Sequence, residues 1–169
     1  KLLEAVGKLL EEKGYEVELL NADVAPVFAS VSRKKADVFM DAWLPVTMKD
    51  YIDQYGDQIE FIGEVYDSAR VGLVVPQYVT IDSIGELAAH KGQFSSEIVG
   101  IDAGAGIMKT TDKAIGDYGL DGYKLLTSSS STMLASLQKA MEKEAWIVIT
   151  GWTPHWMFDR YPLKFLHDP

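Results

Sequence analysis

The sequence contains no cysteine, and this absence excludes disulfides, thiolate nucleophiles and cysteine-based metal sites together. Positive charge is scarce as well: 16 Lys and Arg stand against 25 Asp and Glu, which gives a formal net charge of −9. Phosphate contacts need clustered basic side chains, so this balance argues against a nucleic-acid partner. No apolar run approaches the length of a membrane span. What remains is a chain of 169 residues, 47% hydrophobic, which is long enough for one core or two small lobes.

Motifs of common enzymes and metal sites are missing too. The chain has no Gly-x-Ser-x-Gly elbow, no phosphate-binding loop with its lysine and no His-Glu-x-x-His. His90 and His167 are distant from each other and from any acidic cluster with metal spacing, so we assign no metal and no cofactor. An enzyme assignment would rest on analogy of fold alone. We therefore expect a protein that is not an enzyme, with a small α/β enzyme as the less favoured alternative.

Helical and strand-like patterns alternate along the chain. Helices are predicted at residues 1–14 with Gly14 as the C-cap, and near 25–34, 47–55, 83–89, 107–118 and 132–142. Strand-like runs are residues 15–20, 37–40, 59–63, 71–76, 98–101, 124–126 and 146–150. Alternation of this kind predicts parallel sheets with helices packed on their faces. Because the strands group in two sets, we predict two α/β lobes with a ligand cleft between them.

Two of the four tryptophans stand where an apolar run breaks into a proline-bearing loop. Trp43 lies in DAWLP, residues 41–45, and Trp152 lies in GWTPHW, residues 151–156. A strand end presents side chains to a crevice, so an indole placed there offers its electron-rich face to a ligand. Quaternary ammonium groups donate no hydrogen bond and are held by cation–π attraction, for which tryptophan is the best face. The alternative is that both rings are half-buried packing residues.

The segment GIDAGAGIM, residues 100–108, runs from a strand through a turn of small residues into a helix. Such a turn leaves free backbone N–H groups and the positive end of a helix dipole at the carboxyl end of a strand. An anion can bind there without a basic side chain. As a dinucleotide fingerprint the segment is incomplete, because Lys109 stands where the third glycine belongs. A purely structural glycine turn is the alternative.

Aromatic faces for a cation and backbone amides for an anion together describe a site for a zwitterion. With GLVVPQY at residues 72–78 and SSSSTML at residues 128–134, these motifs closely resemble the substrate-binding proteins of glycine betaine/proline betaine ABC transporters. The resemblance extends over nearly the whole chain. It implies a two-lobed, periplasmic-binding-protein-like α/β fold with parallel-rich sheets flanked by helices. The implied domains are a partial lobe I over residues 1–72, lobe II over 73–155 and a return segment toward lobe I over 156–169.

The same resemblance implies a function in transport and osmoprotection. It predicts the extracytoplasmic solute-binding component of an ABC importer for quaternary ammonium compatible solutes, with glycine betaine or proline betaine as ligand. Its partners would be a membrane permease and an ATPase. Its place would be periplasmic or at the cell surface, free, lipid-anchored or fused to the permease. A choline- or carnitine-type binding protein and a sensor domain of the same fold stay open as alternatives.

The family's binding residues transfer only to positions that match. In this family three tryptophans form an aromatic cage around the ligand's cation, and Trp43 and Trp152 fall on two of these positions. The backbone amides of Gly106 and Ile107 fall on the pair that receives the betaine carboxylate. The third cage tryptophan lies, in relatives, ahead of the first helix seen here. The closing part of the first lobe follows residue 169 in those relatives. We therefore expect the chain to be an interior portion of a longer protein, without its first strand and its C-terminal segment.

Three further residues are expected near the ligand. Met48 stands where a betaine-binding relative carries a histidine that helps to hold the carboxylate, and methionine cannot donate that hydrogen bond. This substitution makes choline or another methylated cation an alternative ligand. Ala105 precedes the carboxylate-binding amides, and His155 shares a loop with Trp152. Beside proline and a further tryptophan, His155 is also consistent with a hydrogen-bonded structural imidazole.

Overall fold

The computed structural model describes residues 2–169, which divide into two compact units. Unit 1 comprises the residues up to Ala42 together with Asp50–Val65, and unit 2 comprises Trp43–Lys49 together with Tyr66–Pro169. The short segment Trp43–Lys49 therefore packs with unit 2, although both of its ends continue into unit 1. The lobe limits expected from the resemblance, after residues 72 and 155, stay a prediction.

Six α-helices and five strands are assigned in residues 2–169. They are α1 (Leu2–Glu12), α2 (Val24–Ser32), α3 (Lys49–Tyr55), β1 (Arg70–Pro76), β2 (Glu97–Val99), α4 (Gly106–Asp117), β3 (Lys124–Leu126), α5 (Ser130–Glu142), β4 (Ile149–Thr153), α6 (Met157–Arg160) and β5 (Leu163–Phe165). Two 3₁₀ helices, Gly56–Gln58 and Ile84–His90, complete the regular structure. None of the helices described here combines the length and the apolar character that crossing a bilayer requires.

Helix α1 ends as its sequence predicts. Gly14 has a φ of +89°, and its N–H donates to the Glu11 carbonyl at 2.9 Å. The Tyr15 N–H then reaches back to the Leu10 carbonyl at 3.1 Å. This pair of bonds satisfies the last carbonyls of the helix and requires a left-handed residue, which glycine adopts without strain.

The core of unit 1 is built around Phe28. Its ring meets Phe39 edge-on at 5.3 Å between centroids and stacks on Tyr51 at 5.0 Å. The strands predicted at residues 15–20, 37–40 and 59–63 are not formed, since residues 2–69 as described contain no strand. An apolar run becomes a strand only when a neighbouring chain segment completes its hydrogen-bond ladder. Those three predictions, made from the apolar pattern alone, were therefore wrong for this structure.

Unit 2 contains a five-stranded sheet in the order β3-β2-β4-β1-β5. Strand β2 runs parallel to β3 and to β4, whereas β1 is antiparallel to both β4 and β5. The α/β class with parallel pairing is confirmed, but the antiparallel direction of β1 was not expected. Strand β5, residues 163–165, was also missed.

The two faces of the sheet carry separate apolar clusters. Along β1, Leu73 and Val75 belong to the first cluster and Val74 to the second, as the alternation of side chains in a strand requires. The first cluster is completed by the 3₁₀ helix Ile84–His90 and the segment around Leu120. The second takes the start of α4 and the inner side of α5. The start of α4 is therefore held on one face of the sheet.

Candidate functional site

Helix α4 begins at Gly106 without a side-chain cap. Ala105 occupies the N-cap position with φ −70° and ψ 134°, and its methyl group offers no acceptor to the first turn. Gly106 and Ile107 are buried, and no acidic residue lies in that turn. No acidic side chain of the first turn therefore compensates the partial positive charge at the helix start, and such a turn suits an anion.

The turn before α4 is fixed by packing from below. The Ile101 N–H donates to the Met108 sulfur at 3.3 Å, and any Cβ at Gly100 would overlap the Met108 thioether. The Ser128 hydroxyl donates to the Gly100 carbonyl at 2.7 Å, and the Ser128 N–H donates to the Ile101 carbonyl at 2.9 Å. These bonds tie the turn to the loop between β3 and α5. The amides at the start of α4 are therefore preorganised by the surrounding chain.

Trp152 lies inside strand β4, not in the loop after it. The strand was predicted to end at residue 150, but its antiparallel pairing with β1 continues to Thr153 and places Trp152 opposite Val71. The half-buried indole packs against the apolar cluster that includes Ala105 and Ile107. The structure therefore brings one predicted cage residue to the same cluster as the start of α4.

His155 stands beside Trp152, with ring centroids 5.0 Å apart in an edge-on contact. Its Nδ1 accepts a hydrogen bond from the Met157 N–H at 3.2 Å, so the unprotonated nitrogen has a structural partner. Partial burial lowers the pKa of His155 below its ordinary value of 6.5, because desolvation disfavours the charged ring. Trp156 is 48% exposed and lies against His155 and Arg160.

The segment Trp43–Lys49 carries the second predicted cage residue and reaches the start of α4 through its backbone. A Cβ on Gly106 would overlap the carbonyl group of Thr47, so the Thr47 main chain lies directly against Gly106. Trp43 itself is half-buried. The structure therefore joins this segment to the same helix start that Trp152 approaches through its apolar cluster.

Met48 takes a position that the sequence did not reveal. Its side chain is 7% exposed, and its sulfur accepts a hydrogen bond from the Trp43 N–H at 3.2 Å. The Met48 N–H in turn donates to the Trp43 carbonyl at 3.1 Å. The side chain thus supports the backbone of Trp43. Contact of Met48, Ala105 or His155 with a ligand stays a prediction, as do the ligand contacts of the two tryptophans, Gly106 and Ile107.

Sequence reasoning missed two features of this region. Thr47 was not considered, because it acts through its main chain and only the missing side chain at Gly106 hints at the contact. The peptide bonds Leu44-Pro45 and Thr153-Pro154 are both cis. Each begins at the residue that follows a predicted cage tryptophan. The spacing Trp-x-Pro, shared by the two segments, is the signal that could have marked them as a pair.

Other parts of the described chain are weaker candidates for a functional site. Among residues 2–169, no group of three or more His, Asp or Glu side chains is placed to hold a metal ion. A groove of about 510 Å³ lies between β3 and α5 and is lined by Trp146 among others, but by none of the predicted site residues. The start of α4 with its neighbours thus remains the candidate site.

An α/β unit with an uncapped helix start, an indole beside it and a second tryptophan on an adjoining segment is the arrangement predicted for one class of protein, the solute-binding domains. The particular family follows from comparison with known proteins. Residues 2–169 match the OpuAC family, described as the substrate binding domain of the ABC-type glycine betaine transport system, and the chain belongs to this family. The resemblance stated from the sequence is confirmed. The family is one of solute-binding domains, so the alternative of a small enzyme is not supported.

Three known proteins show how far the similarity extends. The chain is 47% identical over 107 residues to the glycine betaine/carnitine transport binding protein GbuC of Listeria monocytogenes, covering 62% of this chain and 34% of GbuC. The crystal structure of ProX from Borrelia burgdorferi, a glycine/betaine/L-proline-binding protein, has a TM-score of 0.92 at 36% identity and covers 97% of this chain. An ABC-transporter choline binding protein in complex with choline has a TM-score of 0.84 at 29% identity and covers 93%.

These relatives confirm the periplasmic-binding-protein-like fold that the resemblance implied. They are also longer than the chain described here. It spans 62% of the ProX chain and 56% of the choline-binding chain. What the whole protein binds, and with which partners it works, is therefore a matter of proposal.

Proposed function

We propose that this chain is part of the extracytoplasmic substrate-binding component of an ABC importer for quaternary ammonium compatible solutes. The proposed ligand is glycine betaine or proline betaine, and the proposed partners are a membrane permease and its ATPase. Family membership supports the class of function, and two of the three relatives named above, GbuC and ProX, carry glycine betaine in their names. The two lobes expected from the resemblance would close around the ligand.

One observation carries this proposal: two tryptophan-bearing segments converge on the uncapped start of α4. Trp152 approaches through the shared apolar cluster, and the segment of Trp43 approaches through Thr47. Glycine betaine has a trimethylammonium group and a carboxylate only a short distance apart. In the proposed complex the cation lies against the indole faces, and the carboxylate accepts hydrogen bonds from the amides of Gly106 and Ile107.

The energetics of a cation–π contact set the expected effect of removing one ring. A desolvated contact of this kind contributes about 1 to 2 kcal/mol. Trp43→Ala and Trp152→Ala should therefore each weaken binding of glycine betaine about tenfold or more. Isothermal titration calorimetry of the full-length protein with glycine betaine and proline betaine measures this directly.

Trp156→Ala is the matched control, because it removes an equally large ring whose surface is about half exposed beside the same loop. The affinity of Trp156→Ala for betaines should stay within about a factor of two of the wild type, which corresponds to a change in binding free energy of less than about 0.5 kcal/mol. Unchanged affinity in both Trp43→Ala and Trp152→Ala would remove the two indoles from the site. Loss of binding in all three variants would indicate general damage to unit 2.

Choline is the second candidate ligand, and Met48 is the observation that favours it. Methionine cannot donate a hydrogen bond to a carboxylate, and here its sulfur already accepts one from Trp43. Choline carries the same cation and no carboxylate. Competition between choline and glycine betaine for the wild-type protein decides between them: stronger binding of choline would show that the amides of α4 do not serve a carboxylate.

A further inference from the structure

The segment Trp43–Lys49 is internally braced. The Trp43 N–H donates to the Met48 sulfur at 3.2 Å, and the Trp43 carbonyl accepts from the Met48 N–H at 3.1 Å and from the Thr47 hydroxyl at 2.9 Å. Both polar groups of the Trp43 backbone are thus tied to residues four and five positions later. The placement of Trp43 therefore follows from where Thr47 and Met48 sit.

Thr47 sits on Gly106, and only glycine leaves room for it. A methyl group built on Gly106 would overlap the oxygen, the carbonyl carbon and the Cα of Thr47. These are backbone atoms, which cannot turn away as a flexible side chain would. The backbone of Gly106 does not lie in the left-handed region, so space and not conformation requires a glycine here.

A second glycine in the same helix provides the contrast. Gly116 has no heavy atom within 4 Å of the position where a Cβ would stand, and it also lies outside the left-handed region. The two positions therefore differ in one respect that matters here: a segment is seated on Gly106 and nothing is seated on Gly116. Any effect specific to Gly106 then reports on that seat.

We propose that Gly106 is a positioning residue whose missing side chain is the seat for the segment Trp43–Lys49. Seating fixes Trp43 near the start of α4. The docking itself stands on the contact between Thr47 and Gly106, whereas its consequence for binding rests on the function proposed above.

Gly106→Ala tests the seat, with Gly116→Ala as control. Hydrogen–deuterium exchange of the full-length protein without ligand should show amides of residues 43–49 exchanging at least about tenfold faster in Gly106→Ala. Exchange in β1 and β4 should stay unchanged, since alanine favours helix and unit 2 keeps its fold. Gly116→Ala should match the wild type in both regions. Equal exchange of residues 43–49 in all three proteins would overturn the proposal.

Calorimetric titration with glycine betaine on the same proteins separates this inference from the proposed function. Affinity at least about tenfold weaker in Gly106→Ala and unchanged in Gly116→Ala is the expected result. If exchange rises in Gly106→Ala but the wild type binds no methylated amine, the seat is upheld and the proposed function fails. If the wild type binds betaine and Gly106→Ala binds it equally with unchanged exchange, the seat fails and the function is upheld.

A second variant covers the case in which Gly106→Ala does not fold. Met48→Leu keeps the side-chain volume and removes the sulfur that accepts from the Trp43 N–H. It should also speed exchange in residues 43–49 and weaken betaine binding, without any change to α4. Wild-type exchange and wild-type affinity in Met48→Leu would overturn the claim that the braced segment positions Trp43.

Discussion

At the scale of single residues, the candidate site depends on atoms that a reader of the sequence does not see. Gly106 contributes an N–H and, because it has no side chain, leaves room for the carbonyl group of Thr47. Met48 contributes a hydrogen-bond acceptor in place of the donor that a histidine would supply. Substitutions at these positions therefore test geometry as much as chemistry.

Met48→His should shift the preference of the protein from choline toward glycine betaine. A hydrogen bond to a charged group contributes about 1.5 kcal/mol or more, so the affinity ratio of betaine to choline should rise about tenfold. Competition calorimetry with both ligands measures the ratio. Met48→Leu is the control, because it offers no donor and should leave the ratio unchanged even if it weakens both ligands. A constant ratio in Met48→His would place residue 48 outside the ligand's reach.

Protonation of His155 should destabilise the fold. Its pKa is lowered by burial, so the folded state binds fewer protons than the unfolded state below about pH 6.5. The free energy of unfolding should therefore fall as the pH drops from about 6.5 through the folded-state pKa, where the Met157 N–H also loses its acceptor. Urea unfolding between pH 7 and 5 measures this, and His155→Asn should reduce the dependence. His90→Asn should retain the pH dependence of the wild type. The same dependence of the free energy of unfolding on pH in both variants would contradict the role of His155.

At the scale of elements, caps and turns explain why the helices stand where they do. The run of serines at 128–131 predicts a loop followed by an N-cap, and the structure confirms it: the Ser129 side chain accepts from the Thr132 N–H at 3.2 Å. This cap begins α5, whose inner side packs under the start of α4. Stability of α5 therefore contributes to the stability of the site.

Ser129→Ala should lower the free energy of unfolding by about 1 kcal/mol, as the loss of a serine N-cap usually does. Chemical denaturation followed by far-UV circular dichroism measures the change. Ser136→Ala is the control within the same helix, because its exposed hydroxyl bonds only to the Thr132 carbonyl. That variant should change stability by less than about 0.5 kcal/mol. An equal loss in both variants would contradict the role of the cap.

At the scale of the whole molecule, a ligand that binds only the folded protein must stabilise it. At a free concentration of about one hundred times Kd, the stabilisation is about 2.7 kcal/mol. For a protein of this size or somewhat larger, such a gain raises Tm by about 5 to 10 °C. A thermal-shift panel of glycine betaine, proline betaine, choline and a nucleotide therefore compares the candidate ligand classes in one experiment.

Betaines should raise Tm of the wild type, whereas the nucleotide should leave it unchanged. A variant that combines Trp43→Ala with Trp152→Ala should lose the betaine effect and serves as the negative control. Stabilisation by the nucleotide alone would contradict the proposed function.

Features that depend on residues close together in sequence could be predicted, whereas features that depend on distant partners could not. The end of α1 at Gly14 and the start of α4 depend on neighbours within a few positions, so they could be predicted. The strands expected at residues 15–20 and 59–63 were wrong predictions, because a strand needs a partner that its own residues do not specify. The end of β4 was wrong by three residues, since its antiparallel neighbour β1 extends the ladder past Trp152.

By itself, the sequence determined helix ends such as the one at Gly14 and the residue types that the candidate site brings together: two tryptophans, each followed by a proline two positions later, and a glycine-rich helix start. Only the tertiary structure decided that β1 runs antiparallel, that Thr47 rests on Gly106 and that the Met48 sulfur holds the backbone of Trp43. The physical reason is that caps, turns and periodicity act between near neighbours along the chain. A backbone contact between residues far apart in sequence leaves no pattern beyond the absence of a side chain.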